Sequence, residues 1–506
     1  MTTQKLPSGK FNRGVAALPR WLPITLILTV ATVLFTYQLG REGLWIDELY
    51  SIRDASQNPF DVYQTTRKRP LYYLLLMGWM QLGSSDAWLR SLSVIFAIVS
   101  VFLIYRLGRR LAGEETGLVA ASLLTLSPLF INHAQEVRMY VLSLCMGLAG
   151  TLFLTEALLT EPSQQPSQKS LAGWSFFRLL AIYTVPLNVT LLLPDVLIIL
   201  LRFWRQRTVL IRFGAWLGLL LLLWSPTVLR VAAAARPNTE YAISRAKYLA
   251  PPGLNNLVYP LKFWMVAPQI VRTGPVAHLF YKAFTLLVAG VLGAGLIRKH
   301  KSPAVLWMLA WFVLPLIPII IFSRISAQLW EPRYVLFVSP YLFLLIAAGF
   351  TRLWRQWKPA AAIALTLYLF AMAWALSYYY SVQNRSDYRF NVETIEQYEQ
   401  AGDAIVWGYE WDEPLQYYYD GSADTYWLDM HDVETPGGVQ QWVSQLPSEG
   451  YKRLWLVLDD PRPVTEEFET AIADKYQIED KFKYEHLSAV MLLTPLDVPS
   501  IPAPSK

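Results

Sequence analysis

The sequence predicts a polytopic α-helical membrane protein of about eleven spans, followed by a small α/β domain. Three observations carry this. Apolar residues fill 54% of the 506 positions and mean hydropathy is positive, too hydrophobic for an ordinary soluble enzyme. They fall in blocks of about 20, the length that crosses a bilayer as a helix, rather than in amphipathic stripes. Short basic clusters separate the blocks, and beyond residue 380 the composition turns polar.

Residues 1–20 carry Lys5, Lys10, Arg13 and Arg20 ahead of a long apolar run without a small-residue cleavage site. That pattern describes a signal-anchor helix with a cytoplasmic N-terminus. The expected spans are 22–40, 88–106, 117–132, 139–158, 174–188, 190–203, 209–230, 277–297, 303–322, 334–351 and 360–379. Pro186 and Pro194 interrupt the 174–203 region and mark a broken or re-entrant element there. Basic residues accumulate in cytoplasmic connections. Arg106/Arg109/Arg110, Arg202/Arg205/Arg207, Arg298/Lys299/Lys301 and Arg352/Arg355/Lys358 fall in four such turns, and Lys169 falls in the fifth. This assignment leaves 41–87, the turn 132–139, 231–276 and the turn 323–333 on the outer side. An odd number of spans puts the C-terminal segment there too. That segment alternates helical and strand patterns: a helix in Asp387–Gln400, strands at 404–409, 454–458 and 489–493, and helices near 437–445 and 464–476. The resulting division is a cytoplasmic segment 1–20, a transmembrane domain 21–380, an extracytoplasmic α/β domain 381–497, and a Pro-rich disordered tail 498–506.

The 20 tryptophans and 28 tyrosines suit many membrane–water interfaces. The net charge of +6 lies in separated clusters, whereas nucleic-acid binding wants one continuous basic face. The single cysteine, Cys145, excludes a disulfide framework and a cysteine metal cluster.

Four polar clusters share the expected outer boundary: Asp47-Glu48, Arg67-Lys68-Arg69-Pro70-Leu71-Tyr72-Tyr73, His133-Ala134-Gln135-Glu136-Val137-Arg138-Met139-Tyr140, and Glu331-Pro332-Arg333-Tyr334. Charge near hydrocarbon is costly and is retained for function. Arginine forks bind phosphate oxygens with paired charged hydrogen bonds. A carboxylate within reach can take a proton from an attacking hydroxyl or amine. A cavity open to lipid admits a prenyl or acyl chain. Together these suit transfer of a group from a lipid-linked phosphate to an acceptor outside the cytoplasm.

Over residues 20–355 the chain resembles the GT-C membrane glycosyltransferases, in the group of family 39-type proteins with the protein O-mannosyltransferases and the aminoarabinose transferase of lipid A. The resemblance rests on the first span followed by Trp45-Ile46-Asp47-Glu48, on Arg69-Pro70-Leu71-Tyr72-Tyr73, on Leu89-Arg90-Ser91-Leu92-Ser93, on Gln135-Glu136-Val137-Arg138-Met139-Tyr140 and on Arg333-Tyr334. It implies a polyprenyl-phosphate sugar donor, inversion at the anomeric centre and a plasma-membrane location. Asp47 is then the catalytic base or acceptor-orienting carboxylate, with Glu48 beside it. Arg138 and Arg333 hold the donor phosphate, helped by Arg67 or Arg69. Glu136 orients Arg138 or contacts sugar or acceptor, and Gln135, Tyr72, Tyr140 and Tyr334 complete the substrate contacts. Where relatives often show His-Pro-Pro, this chain has Lys68-Arg69-Pro70. It also lacks the C-terminal repeats of the eukaryotic protein O-mannosyltransferases, so the acceptor is left open among lipid, glycan and protein. Some relatives bind divalent ions; here His133 is the one weak metal candidate, a lone histidine near a single glutamate. No other cofactor is expected. The competing class is a multi-span transporter or flippase of a lipid-linked or anionic substrate, which places its site near the midplane between repeats.

Overall fold

A computed structural model describes residues 19, 21–65, 69–161, 164–234, 275–296, 303–325, 329–382, 385–386, 388–409, 411–430, 433, 437–447, 450–459, 465–484 and 488–496. The helices of the first part are α1 (Leu22–Thr36), α2 (Ile46–Ala55), α3 (Pro59–Thr65), α4 (Pro70–Met80), α5 (Asp86–Ala112), α6 (Glu114–Thr125), α7 (Pro128–Ala134), α8 (Tyr140–Leu158) and α9 (Gln168–Thr184). After a 3₁₀ turn at Pro186–Leu191 come α10 (Leu192–Phe203), α11 (Arg207–Ala234), α12 (Pro275–Leu296), α13 (Ala304–Val313), α14 (Leu316–Ile325), α15 (Ser339–Gln356) and α16 (Lys358–Ser381).

A helical segment lies at each of the eleven expected positions. Among the described residues, however, seven segments are long and apolar enough to cross a membrane unaided. An eighth is possible if α6 and α7, bent by 66° between Thr125 and Pro128, count as one. α1 and the apolar part of α12 fall short of that length, so the helices alone account for seven or eight crossings rather than eleven. The protein is a multi-pass membrane protein. The expected interruption is at Pro186, where α9 stops and the 3₁₀ turn begins, since proline supplies no N–H to continue a helix.

α5 shows why these segments form helices. Ser85 caps its start by accepting from the Trp88 N–H at 3.3 Å, Asp86 occupies the first turn, and Arg109 and Arg110 occupy the last. Gly113, at φ +102°, ends it. α5 and α6 then pack backbone to backbone, because a Cβ on Gly117 would sit 2.5 Å from the Tyr105 carbonyl. Small residues allow such approach where the hydrophobic effect gives helices no reason to associate. α15 is buried on nearly every side and anchors the bundle.

A charged group lies deep in this core. Arg178 and Asp195 are fully buried and bonded in a fork at 2.7 and 3.1 Å. Trp174 and Trp311 also donate to Asp195, while Arg178 donates to the Gly147 carbonyl and Thr151. The sequence reading passed over both residues. Every polar contact is internal, so the group ties α8, α9, α10 and α13 together. Asp195→Asn keeps the shape but removes the carboxylate, and is expected to lower stability by about 2 kcal/mol. Thermal unfolding of the detergent-purified protein measures this.

The C-terminal part contains α17 (Tyr388–Tyr398), β1 (Asp403–Gly408), α18 (Glu413–Tyr418), β2 (Asp424–Leu428), α19 (Gly438–Ser444), β3 (Arg453–Asp459), α20 (Thr465–Ala473), β4 (Tyr476–Tyr484) and β5 (Ser488–Pro495). The sheet order is β2-β1-β3-β5-β4. β1 runs parallel to both neighbours and β5 antiparallel to β3 and β4. The three expected strands are its central ones. β2 and β4 escaped the sequence reading because they are edge strands with half-exposed or charged residues, which blunt an edge and erase the apolar signal. This domain docks on the loops next to α2. Glu413 pairs with Arg53 at 2.5 Å, and Trp411 meets Tyr50 edge-on. The Tyr418 hydroxyl accepts the Leu44 N–H, and Arg389 pairs with Asp86 at 2.9 Å.

Candidate active site

Asp47 and Glu48 begin a short helix of their own, α2, where its N-terminal dipole favours carboxylates. Their environments differ sharply. Glu48 is fully buried, and each of its oxygens is doubly engaged. Oε1 accepts from Arg90 Nε at 2.9 Å and the Val137 N–H at 2.8 Å; Oε2 accepts from Arg90 Nη2 at 2.7 Å and the Trp45 N–H at 3.2 Å. Arg90 also donates to the carbonyls of Leu39, Glu42 and Gly43, which uses all five of its N–H groups. Glu48 therefore faces protein on every side, where the sequence reading had it beside Asp47 as a catalytic carboxylate. Packing explains the difference: the Glu48–Arg90 fork fastens α2 and the 135–138 segment to the start of α5.

Asp47 is partly open. Its Oδ2 lies 2.9 Å from Arg333 Nη1 and 3.6 Å from Arg138 Nη2. Arg138 is buried and held from behind, donating to the Asp47 carbonyl at 2.7 Å and to the Ser51 hydroxyl at 3.0 Å. Burial works against its charge, yet Tyr140, Asp47 and Tyr73 outweigh that and hold it protonated well above the usual arginine range. Arg333 sits over the Tyr334 ring at 5.5 Å and Arg138 over the Tyr140 ring at 5.8 Å. The two tyrosine rings are 6.3 Å apart. Three segments far apart in sequence thus meet at one point. Around it, Arg138 Nε, Arg333 Nε and the hydroxyls of Tyr140 and Tyr72 are buried with no hydrogen-bond partner. Leaving such groups unpaired is expensive, and a phosphate or sugar oxygen would satisfy them. Glu331 joins the rim. Burial raises its carboxyl above the ordinary range, opposed by Arg333 and His133.

The other expected residues divide. Arg69 caps α4 and reaches the Met139 sulfur at 3.9 Å, beside the Arg138 segment. Tyr72 packs edge-on against Tyr73. Arg67 lies outside the described residues. Gln135, expected among the substrate contacts, donates to the carbonyls of Phe35 and Tyr37 and accepts from the Tyr379 hydroxyl. Every arm of its amide is occupied in joining α1 to α16. Glu136, expected to orient Arg138 or touch substrate, bonds His133 Nδ1 at 2.7 Å and Asn132 at 3.2 Å, with Arg385 3.8 Å away. Among the described residues no three His, Cys, Asp or Glu side chains gather as a metal site. The sequence reading assigned no role to the supporting group of Arg90, Ser51 and Arg385, although Arg90 stands in the Leu89–Ser93 motif it quoted. Arg90 carried a signal, an arginine at the mouth of an apolar span. Arg385, in a polar linker, carried none.

Known proteins share this fold and part of this sequence. The sequence model of the family described as dolichyl-phosphate-mannose-protein mannosyltransferase matches residues 67–230, less than half of the chain. No curated protein matches by sequence. The structure is similar to ArnT from Cupriavidus metallidurans bound to undecaprenyl phosphate, with TM-score 0.56 and 13% identity over 93% of this chain and 98% of that one. It is also similar to the apo oligosaccharyltransferase of Archaeoglobus fulgidus, with TM-score 0.53 and 10% identity over 90% and 71% of the two chains. The fold is shared with ArnT and with the archaeal oligosaccharyltransferase. Fold and family match together indicate a membrane glycosyltransferase.

Proposed function

We propose that the protein moves a sugar from a polyprenyl-phosphate donor to an acceptor on the non-cytoplasmic side of the plasma membrane, inverting the anomeric centre. The observation that carries this reading is the convergence of Arg138, Arg333 and Asp47, ringed by buried polar atoms with no protein partner. The structure of ArnT bound to undecaprenyl phosphate supports the class of donor.

In this reading Arg138 and Arg333 take the donor phosphate. Arg333 exchanges its bond to Asp47 for one to phosphate, which frees the carboxylate. Asp47 then meets the acceptor hydroxyl or amine as base or orienting group. The nucleophile forms its bond to the anomeric carbon as the bond to the phosphate oxygen breaks, and the electron pair leaves on polyprenyl phosphate. Arginine charge stabilises that leaving group in place of a strong general acid. Gln135 and Glu48 hold the scaffold, and Tyr140, Tyr334 and Tyr72 offer hydroxyls and ring faces to the sugar. The acceptor is a lipid, a glycan or a protein.

Transfer or hydrolysis from radiolabelled polyprenyl-phosphate sugars by the purified protein in lipid tests the reading. Asp47→Asn is expected to lower the rate by about 10²- to 10⁴-fold with abundance unchanged. Absence of both turnover and donor binding across a broad panel would favour the transporter class.

A further inference from the structure

His133 has one ring nitrogen committed and the other unoccupied. Nδ1 lies 2.7 Å from Glu136 Oε2, while Nε2 is buried with no hydrogen-bond partner. The carboxylate is itself clamped: Asn132 donates to Oε1 at 3.2 Å and Arg385 stands 3.8 Å away. Arg385 is in turn fixed by the carbonyls of Asn132 and Gln135. Burial alone would raise Glu136, but His133, Arg385 and Arg138 outweigh it and bring its carboxyl down to about 2. When Nδ1 carries the proton shared with Glu136, Nε2 is left as the acceptor. A histidine oriented by a buried carboxylate is the arrangement that accepts protons from hydroxyl nucleophiles on unrelated folds.

The His133 ring borders the proposed site. The His133 ring is 5.2 Å from that of Tyr140, whose hydroxyl is unpartnered and feels the charges of Arg138, Arg333 and Asp47. Glu331 feels both Arg333 and His133. From α16, Tyr379 reaches the neighbouring Gln135. Asp47 Oδ2 faces two guanidinium groups, those of Arg333 and Arg138.

We infer that His133 Nε2, held by Glu136, is the atom that receives the acceptor's proton, while Asp47 orients the nucleophile. The inference rests on the glycosyl-transfer reading and says where its proton goes. As the acceptor's oxygen or nitrogen bonds to the anomeric carbon, the carbon–oxygen bond to the phosphate breaks and its electron pair departs with polyprenyl phosphate. The proton from the nucleophile passes to Nε2, and the Nδ1 proton stays on His133, bonded to Glu136.

The test uses the full-length protein in lipid nanodiscs with radiolabelled undecaprenyl-phosphate sugars. It follows release of label to water and to membrane extract from about pH 5 to about pH 9, the range that spans an imidazole titration. Wild type should lose rate toward the acidic end, because a protonated Nε2 cannot accept. His133→Gln should lower kcat about 100-fold, bind donor within about threefold of wild type, and lose the acidic fall. Glu136→Gln should lower kcat as well, because the ring loses its orienting charge. A His133→Gln protein with wild-type kcat and pH profile overturns the inference while leaving the transfer reading intact. So does loss of donor binding in both variants, which would make the pair structural. Inactivity of wild type on every donor would overturn the transfer reading and this inference with it.

Discussion

Alanine at both Arg138 and Arg333 is expected to lower kcat/KM for a polyprenyl-phosphate sugar by about 10²- to 10⁴-fold. Each guanidinium supplies a charged hydrogen bond worth about 1.5–3 kcal/mol where water is excluded, and each factor of ten corresponds to about 1.4 kcal/mol. The single variants should differ. Arg138 is buried and bonded from behind by the Asp47 carbonyl and Ser51, so Arg138→Ala loosens the start of α2 as well as the phosphate grip. Arg333 is a third exposed, and its nearest charge is Asp47, so Arg333→Ala should act mainly on donor affinity. Arg333→Lys keeps the charge but loses the planar fork and should recover part of the affinity. Donor binding and single-turnover transfer, measured together, separate these effects. Unchanged donor affinity in the double variant would remove the phosphate from this place.

Much of this site was legible because its chemistry resists its surroundings. Charged residues at the ends of apolar blocks stand out by composition, and Asp47, Arg138 and Arg333 were found that way before any contact was known. The sequence could not say which of two neighbouring carboxylates faces open space. Asp47 and Glu48 have the same local signature, and only the arrival of Arg90 from α5 and the Val137 N–H from the far side assigns Glu48 to the interior. The same holds for Gln135 and Glu136. They sit in the right stretch, but tertiary packing turns Gln135 to the helix ends and Glu136 to His133. In the C-terminal domain the buried strands were readable from their apolar runs. The edge strands were not, because an edge carries no such run. Arg178 and Asp195 were hidden for a related reason: one charge in a long apolar stretch says nothing about the partner across the bundle.

Glu48→Ala is expected to destabilise the protein by about 3–5 kcal/mol, because it leaves the Arg90 guanidinium buried without its carboxylate. The carbonyls of Leu39, Glu42 and Gly43 still accept from Arg90, but they cannot neutralise it. The Val137 and Trp45 N–H groups also lose their acceptor, so the segment bearing Arg138 and the start of α2 loosen together. Arg90→Met should fall in the same range, since it strands the Glu48 charge. Exchanging both for well-packed apolar residues should recover much of the stability. Transfer activity would not follow, because α2 and the 135–138 segment would no longer be held in register. Abundance in membranes and thermal unfolding in detergent give the stability, and donor turnover gives the function. This separates the two acidic neighbours: Asp47→Asn should leave a stable, inactive protein, whereas Glu48→Ala should leave a scarce and labile one. If Glu48→Ala were as stable as wild type yet inactive, Glu48 would belong with Asp47 in the chemistry and the Arg90 fork would have only an incidental role.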